Sequence, residues 1–357
     1  MLQFGLRVTD ISFNELHSNG FVWYAPGMHD FLETPYPLHP APVHADRLVT
    51  TRQAAEICGV HASTVKRWCD AGELVCEHTP GGHRRIDLDV LLAFAVHQGV
   101  ATDLDPFGPH AAAVWIASRA AVGARRLDPV VELWLGWLLR DEPAYLAPTM
   151  GYLLRAGLPL TTLFDAGIMT LLQQVGAAWY AGTLRIGDEH RVTEQVKDAL
   201  HALRLQLAPA RSAQAADDRV AIVASAPGNR HHLGAFMARI LLEARGWSVR
   251  FLGADLPADE LAAQQRSAGA CLVCVSFSTP QTLADARRLV QILADESRKG
   301  QAFHLVLGGN ALPPEAAAIE APGLASCRAL PSMAAFEAWL EQQFPGPRPE
   351  PMRGGRR

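Results

Sequence analysis

Between residues 219 and 344, short apolar runs alternate with longer amphipathic stretches. The first run, Val220 to Ser225, is apolar and β-branched, and a glycine-bearing loop separates it from the amphipathic stretch Ala235 to Leu242. This alternation predicts parallel strands joined by helices, an α/β domain of flavodoxin-like (Rossmann-type) fold with strand order 2-1-3-4-5. The expected strands are 220–225, 248–252, 271–276, 303–307 and 324–329, and the later helices are 258–267, 281–297 and 332–343.

Apolar positions recur with a helical period from Ala111 to about Leu207. We assign residues 110–210 to a four-helix bundle. Its helices are marked by Trp115, Trp134, Leu135, Trp137 and Leu138, then by Tyr145 to Leu154, Leu160 to Trp179 and Glu189 to Leu207. Residues 99–109 are polar and interrupted by Pro106, Gly108 and Pro109, so we expect a linker there that does not pack.

Two short helical stretches joined by a tight turn precede that linker. Thr50 and Thr51 can cap a helix that continues to Ile57, and Gly59 ends it. A second helix is expected at 62–69, which is the spacing of a helix-turn-helix whose second helix enters the major groove. Residues 79–86 then predict a glycine-tipped hairpin that ends in adjacent basic residues.

Composition limits the partners. A length of 357 residues suggests two or three domains, and the net charge of −4 requires any DNA-binding surface to be local. The six cysteines form no secreted disulfide framework in a chain this long, and Cys271 and Cys274 are expected to be core residues of a strand. Neither a signal peptide nor an apolar run of membrane-spanning length is recognisable, so we expect a cytoplasmic protein that does not associate with a membrane.

Three further segments have no periodic pattern. Residues 1–46 contain scattered aromatic residues and a proline-rich end, and we expect a poorly ordered extension. A second linker is expected at 211–219, where alanine and polar residues follow the bundle. The tail at 345–357 is rich in Pro, Gly and Arg and is expected to be disordered.

Residues 47–98 resemble the winged-helix DNA-binding domain of the MerR family. The resemblance is carried by the two helices and by Gly81-Gly82-His83-Arg84-Arg85, which is similar to that family's wing. We expect the clustered basic residues of the second helix and the wing to contact phosphates, and the front of the helix to contact base edges. The expected phosphate contacts are Lys66, Arg67, Arg84 and Arg85; the expected base-edge contacts are His61, Ser63 and Thr64, and His83 belongs to the same DNA surface.

The loop after the first strand of the sheet is Gly228-Asn229-Arg230-His231-His232-Leu233-Gly234. Ligands of parallel sheets lie beyond the carboxyl ends of the strands, so the loop offers imidazole where a cofactor would lie. Gly228 lets the chain turn, and Gly234 removes a side chain where a flat ligand could press on the backbone. On this evidence a phosphate-binding loop, or a merely packed one, remains an alternative.

The same loop resembles the His-x-x-Gly signature of cobalamin-binding domains, in which the histidine is the lower axial ligand of cobalt. Only His231 has a glycine, Gly234, at the required offset. The family pattern has a carboxylate two residues before the ligand, and this chain has Asn229, which accepts a hydrogen bond without a charge. The resemblance therefore implies that His231 is the cobalt ligand.

Other loops of the sheet extend that resemblance. Gly253 and Asp255 match the loop after the second strand, and Gly308-Gly309 match a pair that makes room for the cofactor's nucleotide tail. Ser276 and Ser278 match a Ser-x-Leu site in part, because Ser278 replaces the leucine. The implied cofactor contacts in this domain are Gly228, Asn229, Arg230, His231, Gly234, Gly253, Asp255, Ser276, Ser278, Gly308 and Gly309.

A second motif lies in the bundle, where Trp179 is followed after nine residues by Glu189 and His190. This spacing resembles the bundle that caps cobalamin in CarH-type photoreceptor repressors. The resemblance implies that the indole covers the upper face of the corrin and that Glu189 and His190 help to hold the adenosyl group. The resemblance to this family covers residues 48 to 344, and the family has its domains in the same order: winged helix, bundle and cobalamin-binding domain. Several relatives have a cobalt-trapping histidine after the tryptophan, whereas this chain has Tyr180.

Together these resemblances imply a regulator and not an enzyme: a cobalamin-dependent, light-responsive repressor that binds adenosylcobalamin, or alternatively methylcobalamin. Its expected partners are operator DNA and further copies of itself, as a dimer or tetramer. A regulator that reads cobalamin level or redox state without photochemistry is the first alternative. A corrinoid methyl-carrier module of an enzyme is the second, although a methyl carrier has no use for a winged helix.

Overall fold

The computed structural model describes residues 47–207 and 219–345. The predictions for residues 1–46, 211–218 and 346–357 lie outside the described residues. Within the described residues, the secondary structure follows the predicted order of winged helix, helical domain and α/β domain.

The first domain contains the predicted helix-turn-helix and hairpin. Its elements are β1 (Leu48–Thr50), α1 (Thr51–Ile57), α2 (Ala62–Asp70), β2 (Glu77–His78), β3 (Arg84–Asp87) and α3 (Leu88–Gln98). Thr50 caps α1 in a capping box with Gln53, as the two threonines predicted. The strands pair antiparallel in the order β1-β3-β2. Val49 and Ile86 pair across β1 and β3 and are fully buried, so the wing is attached to the core of the domain.

The segment from 99 to 109 packs, and the prediction of an unpacked linker was wrong. It leads into a 3-10 helix at Asp105–His110, and Leu104 and Phe107 are buried. The Asp103 N–H donates to the Ile57 carbonyl at the end of α1 (3.2 Å), while the Phe107 ring meets the Tyr152 ring edge-on at 5.7 Å. The segment thus contacts the winged helix through Asp103 and the helical domain through Phe107.

The helical domain has five helical segments within the described residues, whereas four were predicted. They are α4 (Ala111–Gly123), α5 (Asp128–Leu139), α6 (Leu146–Arg155), α7 (Leu160–Thr162) continuing through a π-helical turn (Leu163–Ile168) into α8 (Met169–Tyr180), and α9 (Ile186–Leu207). The predicted first helix is divided because the chain turns at Arg125, where φ is 54°, and Pro129 then lies in the first turn of α5. Trp134 and Trp137 are fully buried in the core.

The α/β domain has the predicted topology. Its elements are β4 (Val220–Ser225), α10 (Leu233–Ala244), β5 (Ser248–Gly253), α11 (Ala258–Ala268), β6 (Leu272–Ser276), α12 (Leu283–Ser297), β7 (His304–Gly308), β8 (Ser326–Ala329) and α13 (Met333–Gln343). The strands are parallel in the order β5-β4-β6-β7-β8, which is 2-1-3-4-5 within the domain. Ser225, Ser276 and Gly308 are in register, so the loops that follow these three strands meet at one edge.

The cysteines of the α/β domain belong to its core, as predicted, with one difference in position. Cys274 is buried in β6, and burial raises the pKa of its thiol. Cys271 precedes β6 instead of lying within it, and its Sγ is 3.6 Å from the Val220 carbonyl oxygen. All six cysteines are free in the described residues.

The helical domain is held against the α/β domain at two places. In the first, the His201 ring of α9 lies 4.3 Å from the Phe236 ring of α10, and Arg204 donates to the Glu243 carboxylate. In the second, the Asp165 carboxylate of the π-helical turn accepts the N–H groups of Met333 and Ala334 at the start of α13 (2.9 and 3.0 Å). A side chain of one domain thus caps a helix of the other.

Candidate cofactor site and DNA interface

The predicted ligand His231 lies in the loop between β4 and α10, at the carboxyl edge of the sheet, and is exposed. Gly228 has φ 76°, which gives the loop its turn. The backbone of His231 is held at both of its polar groups. Its N–H donates to Asn229 Oδ1 (2.9 Å), and its carbonyl oxygen accepts a hydrogen bond from Ser225 Oγ (2.9 Å).

A hydrogen-bond relay connects the imidazole to the interior. Ser278 Oγ donates to Asn229 Oδ1 (2.8 Å) and lies 3.2 Å from His231 Nδ1. Because its proton points to Asn229, the hydroxyl can accept a hydrogen bond from Nδ1–H, which leaves the lone pair on Nε2 for a metal. Asn229 is only 3% exposed, and its Nδ2 donates to the Ser276 carbonyl (3.2 Å). Asn229 therefore acts on the ring through Ser278, and both of these predicted cofactor residues converge on His231.

Two glycines of the cofactor motif have close neighbours within the chain itself. A Cβ on Gly234 would lie 2.7 Å from Ser276 Oγ, so Gly234 makes room for the chain's own serine. At Gly309, with φ 113°, a Cβ would lie 1.9 Å from the Phe277 carbonyl oxygen, so the missing side chain makes room for backbone. Gly308 is different, because a Cβ there would meet only the Leu330 carbonyl oxygen at 3.8 Å.

The loop after β5 approaches the histidine loop. Gly253 ends β5 with φ 77°, and Asp255 has φ 57°. Asp255 Oδ1 accepts the Gly228 N–H at 2.7 Å, and its own N–H donates to the Asn229 carbonyl at 3.1 Å. Arg230 is exposed beside this contact. The motif residues of the first and second loops are therefore brought together.

Sequence analysis missed Gln281, which holds the histidine loop from the other side. Gln281 Nε2 donates to the Pro227 carbonyl (2.9 Å), and its Oε1 accepts the Ser278 N–H (3.2 Å). The turn signal Ser278-Thr279-Pro280-Gln281 after a buried strand was visible in the sequence. What the sequence did not contain was the distance from Gln281 to a loop some fifty residues earlier, which depends on the pairing of β4 with β6.

The predicted upper residues lie together at the turn between α8 and α9. Trp179 lies in the last turn of α8 and is 47% exposed, and Tyr180, the last residue of that helix, is 76% exposed. Glu189, in the first turn of α9, accepts a hydrogen bond from Thr193 Oγ1 (3.0 Å), and its Oε2 is 3.5 Å from Nε2 of the exposed His190. An exposed indole at the end of α8 and a carboxylate at the start of α9 suit a flat apolar ligand that carries hydroxyl groups.

The α9–α10 contact relates this upper turn to His231. From His201–Phe236 to Arg204–Glu243 the contacts advance in the same direction along both helices, so α9 and α10 run side by side. Glu189 precedes His201 by about 18 Å along α9 at the helical rise of 1.5 Å per residue. His231 is much nearer the start of α10, so the first turns of α9 extend beyond its loop.

The predicted base-edge residues lie at the start of α2. His61 is the N-cap of α2: its Nδ1 accepts the Ser63 N–H (3.3 Å) and lies 2.7 Å from Ser63 Oγ. Thr64 is half-buried, and Lys66 and Arg67 are exposed on the same helix. In the part of the chain that the structure describes, neither Lys66 nor Arg67 forms an ion pair, which leaves both available for phosphate.

Arg84 and Arg85 of the wing have different surroundings. On β3 they alternate in direction, and Arg84 lies on the side of the buried Ile86. The Arg84 guanidinium pairs with Asp70 at the end of α2 (2.5 Å) and is only 26% exposed. Arg85 donates to the Arg84 carbonyl and is half-buried. Arg84 thus fastens the wing to α2, while the exposed His83 lies at the wing tip.

Two segments of the chain match known protein families. Residues 48–96 match the family described as a helix-turn-helix domain, and residues 219–338 match the B12 binding domain. The chain is 31% identical over 230 residues to the HTH-type transcriptional repressor CarH of Myxococcus xanthus, covering 61% of this chain and 74% of that protein. The chain belongs to the CarH family of cobalamin-binding transcriptional regulators.

Two other similarities concern only part of this CarH-family protein. It is 24% identical over 152 residues to the corrinoid protein DSY3155 of Desulfitobacterium hafniense, covering 43% of this chain and 70% of that protein. The monomethylamine corrinoid protein of Methanosarcina barkeri aligns with a TM-score of 0.46 and 19% identity, over 58% of this chain and 96% of that one. No described helix is long and apolar enough to cross a membrane.

Proposed function

We propose that this CarH-family protein is a light-responsive transcriptional repressor that binds adenosylcobalamin, with His231 as the lower axial ligand. The observation that carries the proposal is the relay from His231 Nδ1 through Ser278 Oγ to Asn229 Oδ1. A hydrogen bond at one ring nitrogen fixes the tautomer and orients the other nitrogen as a ligand. The relay lies within the segment that matches the B12 binding domain.

The residues of the chain fit the two faces of such a cofactor. His231 Nε2 would hold cobalt from below, Trp179 would cover the ring from above, and Glu189 would accept hydrogen bonds from ribose hydroxyls. Bound adenosylcobalamin would supply a cobalt–carbon bond that light can break. Trp179 and Glu189 would then lose the group that they hold, and the packing of α8 and α9 would lose stability.

The signal has a physical route to the DNA-binding surface. The helical domain is joined to the winged helix through Phe107 and Asp103, which pack and hydrogen-bond instead of forming a loose tether. We infer that a change in the helical domain alters the arrangement of winged helices in a dimer or tetramer on operator DNA. The wing, similar to that of the MerR family, would then position α2 on its site.

Tyr180 supports a second candidate, a regulator that reads cobalamin level or redox state without photochemistry. A phenol is a poor ligand for cobalamin cobalt at neutral pH, so Tyr180 would not trap the metal after light. The upper position would then fall to His190 or water. A corrinoid methyl carrier is the weaker alternative, because DSY3155 matches only 43% of this chain and the winged helix would have no purpose.

Absorption spectra and size-exclusion profiles in darkness and after green light distinguish these candidates. We expect the dark complex with adenosylcobalamin to be the larger oligomer and the tighter DNA binder, and light to reduce both. The same measurements are made with methylcobalamin, the alternative cofactor. If light changes neither profile with either cofactor, the photoreceptor function is wrong and the cobalamin-level sensor is favoured.

The assignment of His231 as the cobalt ligand can be tested with the neighbouring His232 as a matched control. His231→Ala should eliminate the spectrum of histidine-ligated cobalamin, whereas His232→Ala should retain it, because only His231 has the relay to Ser278. An unchanged spectrum in His231→Ala would exclude this residue as the ligand.

The DNA interface is tested by Lys66→Ala and Arg84→Ala in a salt titration of operator binding. Lys66→Ala should lower the salt slope by about one, as expected for one lost phosphate contact. Arg84→Ala should weaken binding through a displaced wing, and Asp70→Ala should reproduce that effect because it breaks the same pair. If Lys66→Ala and Arg84→Ala lower the salt slope of operator binding equally, Arg84 contacts a phosphate, as the sequence predicted.

A further inference from the structure

Asp255 has an unusual backbone conformation and two hydrogen bonds to one neighbouring loop. Its φ of 57° lies in the left-handed region, which Asp and Asn tolerate better than other side-chain-bearing residues. Its Oδ1 accepts the Gly228 N–H (2.7 Å), and its own N–H donates to the Asn229 carbonyl (3.1 Å). A strained backbone persists where its surroundings determine it, and here both partners are adjacent residues of the histidine loop.

The two residues that Asp255 holds determine where His231 lies. Gly228 is itself in the left-handed region, at φ 76°. Asn229 provides the oxygen that accepts both the His231 N–H and the Ser278 hydroxyl. A displacement of the backbone at Gly228 and Asn229 therefore moves the acceptor on which the imidazole relay ends.

We propose that Asp255 is a positioning residue for His231: its carboxylate fixes the histidine loop before cobalamin binds, instead of contacting the cofactor. The inference rests on the proposed function, because it assigns His231 as the ligand. A charged acceptor makes a stronger hydrogen bond to a loop N–H than a neutral one, so a carboxylate suits this exposed position. Gln281 holds Pro227 on the opposite side, and the loop is fixed between the two.

Substitutions at Asp255 separate the carboxylate from the backbone conformation. Asp255→Gly retains the left-handed backbone without strain and removes the acceptor, whereas Asp255→Ala removes the acceptor and adds strain. Asp255→Asn retains both an oxygen acceptor and tolerance of the left-handed region. Asp259→Asn is the control for loss of a carboxylate, since Asp259 is exposed in α11 and has no hydrogen bond or ion pair within the described residues.

Two measurements are made on the full chain. The first is hydrogen exchange of the Gly228 amide without cofactor, and the second is the dissociation rate of adenosylcobalamin together with its absorption spectrum. Asp255→Gly should increase Gly228 exchange about tenfold, as expected for loss of one hydrogen bond to a charged group. It should also accelerate cofactor release about tenfold and reduce the histidine-ligated fraction. Asp255→Asn should largely restore both, and Asp259→Asn should change neither.

The outcomes separate positioning from direct contact. If Asp255→Gly accelerates cofactor release while Gly228 exchange is unchanged, Asp255 contacts cobalamin directly and the positioning role is wrong. If both are unchanged, Asp255 has no role at the site. If the unsubstituted protein binds no cobalamin, the proposed function fails. The exchange of Gly228 still decides, in that case, whether Asp255 holds the loop.

Discussion

The carboxyl edge of the sheet and the turn between α8 and α9 are the two surfaces that the cofactor would meet, and they are built differently. At the sheet edge, side chains from three loops hydrogen-bond to one another and to the backbone around His231. At the α8–α9 turn, Trp179 and Tyr180 are exposed, and the Glu189 carboxylate accepts a hydrogen bond from Thr193 and lies near the exposed His190. A preorganised ligand loop reduces the cost of binding, whereas an incomplete apolar surface gains stability only when a ligand covers it.

The largest expected effect separates two tryptophans of the same domain. Trp134 is fully buried, so Trp134→Ala should lower the free energy of unfolding by about 3–5 kcal/mol. Trp179→Ala should change the stability of the cofactor-free protein by less than about 1 kcal/mol, because half of the side chain is already exposed. Chemical denaturation with and without adenosylcobalamin measures both.

Trp179 should matter for stability when the cofactor is present. Trp179→Ala should lower the stabilisation by adenosylcobalamin by about 1.4 kcal/mol, corresponding to a tenfold loss of affinity. A large loss of stability in cofactor-free Trp179→Ala would mean that the upper surface is complete without its ligand. The comparison between the two surfaces would then be wrong.

The second prediction concerns two adjacent glycines at the sheet edge. Gly309→Ala should destabilise the α/β domain by about 3 kcal/mol, because its Cβ would lie 1.9 Å from the Phe277 carbonyl oxygen at a left-handed φ. Gly308→Ala should cost less than about 0.5 kcal/mol, since its Cβ would be 3.8 Å from the Leu330 carbonyl oxygen. Thermal unfolding of the pair measures the difference. Similar melting temperatures would show that the close approach to Phe277 relaxes easily.

These two regions also show what the sequence can predict. The strands were predictable because β4, β6 and β7 are buried on both faces and read as continuous apolar runs. The ligand loop was predictable because its residues are contiguous. Local patterns of three to fifteen residues carry such features, and they gave the correct strand order and domain order.

The missed features depend on contacts between distant residues. Gln281 reaches Pro227, and Asp165 caps a helix that starts 168 residues later. The turn signal that contains Gln281 was visible in the sequence, but nothing local to Gln281 or Asp165 indicates the distant group that each one contacts. The close approach of Ser276 to Gly234 was likewise not predictable, because Ser276 comes from another strand. Long-range packing decided these positions, and periodicity contains no information about it.

The third prediction compares the two caps of α13. Asp165 belongs to the helical domain, while Ser332 is the local N-cap and accepts the Ala335 N–H at 3.1 Å. Asp165→Ala and Ser332→Ala should each cost about 1 kcal/mol. Of these two side chains only Asp165 reaches across to the other domain, so only Asp165→Ala should weaken the coupling of the two domains, which the α9–α10 contact also provides. Calorimetry should therefore show a broader unfolding transition for Asp165→Ala than for Ser332→Ala, and equally sharp transitions would exclude Asp165 as a connection between the domains.

The smallest expected effect is a pH dependence of the α9–α10 contact, which holds the upper turn above the sheet. Burial alone would raise the pKa of Glu243, but hydrogen bonds from Arg204 and Arg239 outweigh it and lower that pKa below its ordinary 4.5. A carboxylate with a lowered pKa stabilises the fold above its unfolded value, and the stabilisation disappears as the pH falls through the folded value. Because these side chains are partly exposed, the pairs should contribute about 0.5–1 kcal/mol to the free energy of unfolding.

Glu243→Gln should therefore lose stability at pH 7 and show a flatter stability profile below about pH 5 than the unsubstituted protein. Matching profiles in acid denaturation would show that the pair contributes nothing to holding α9 against α10.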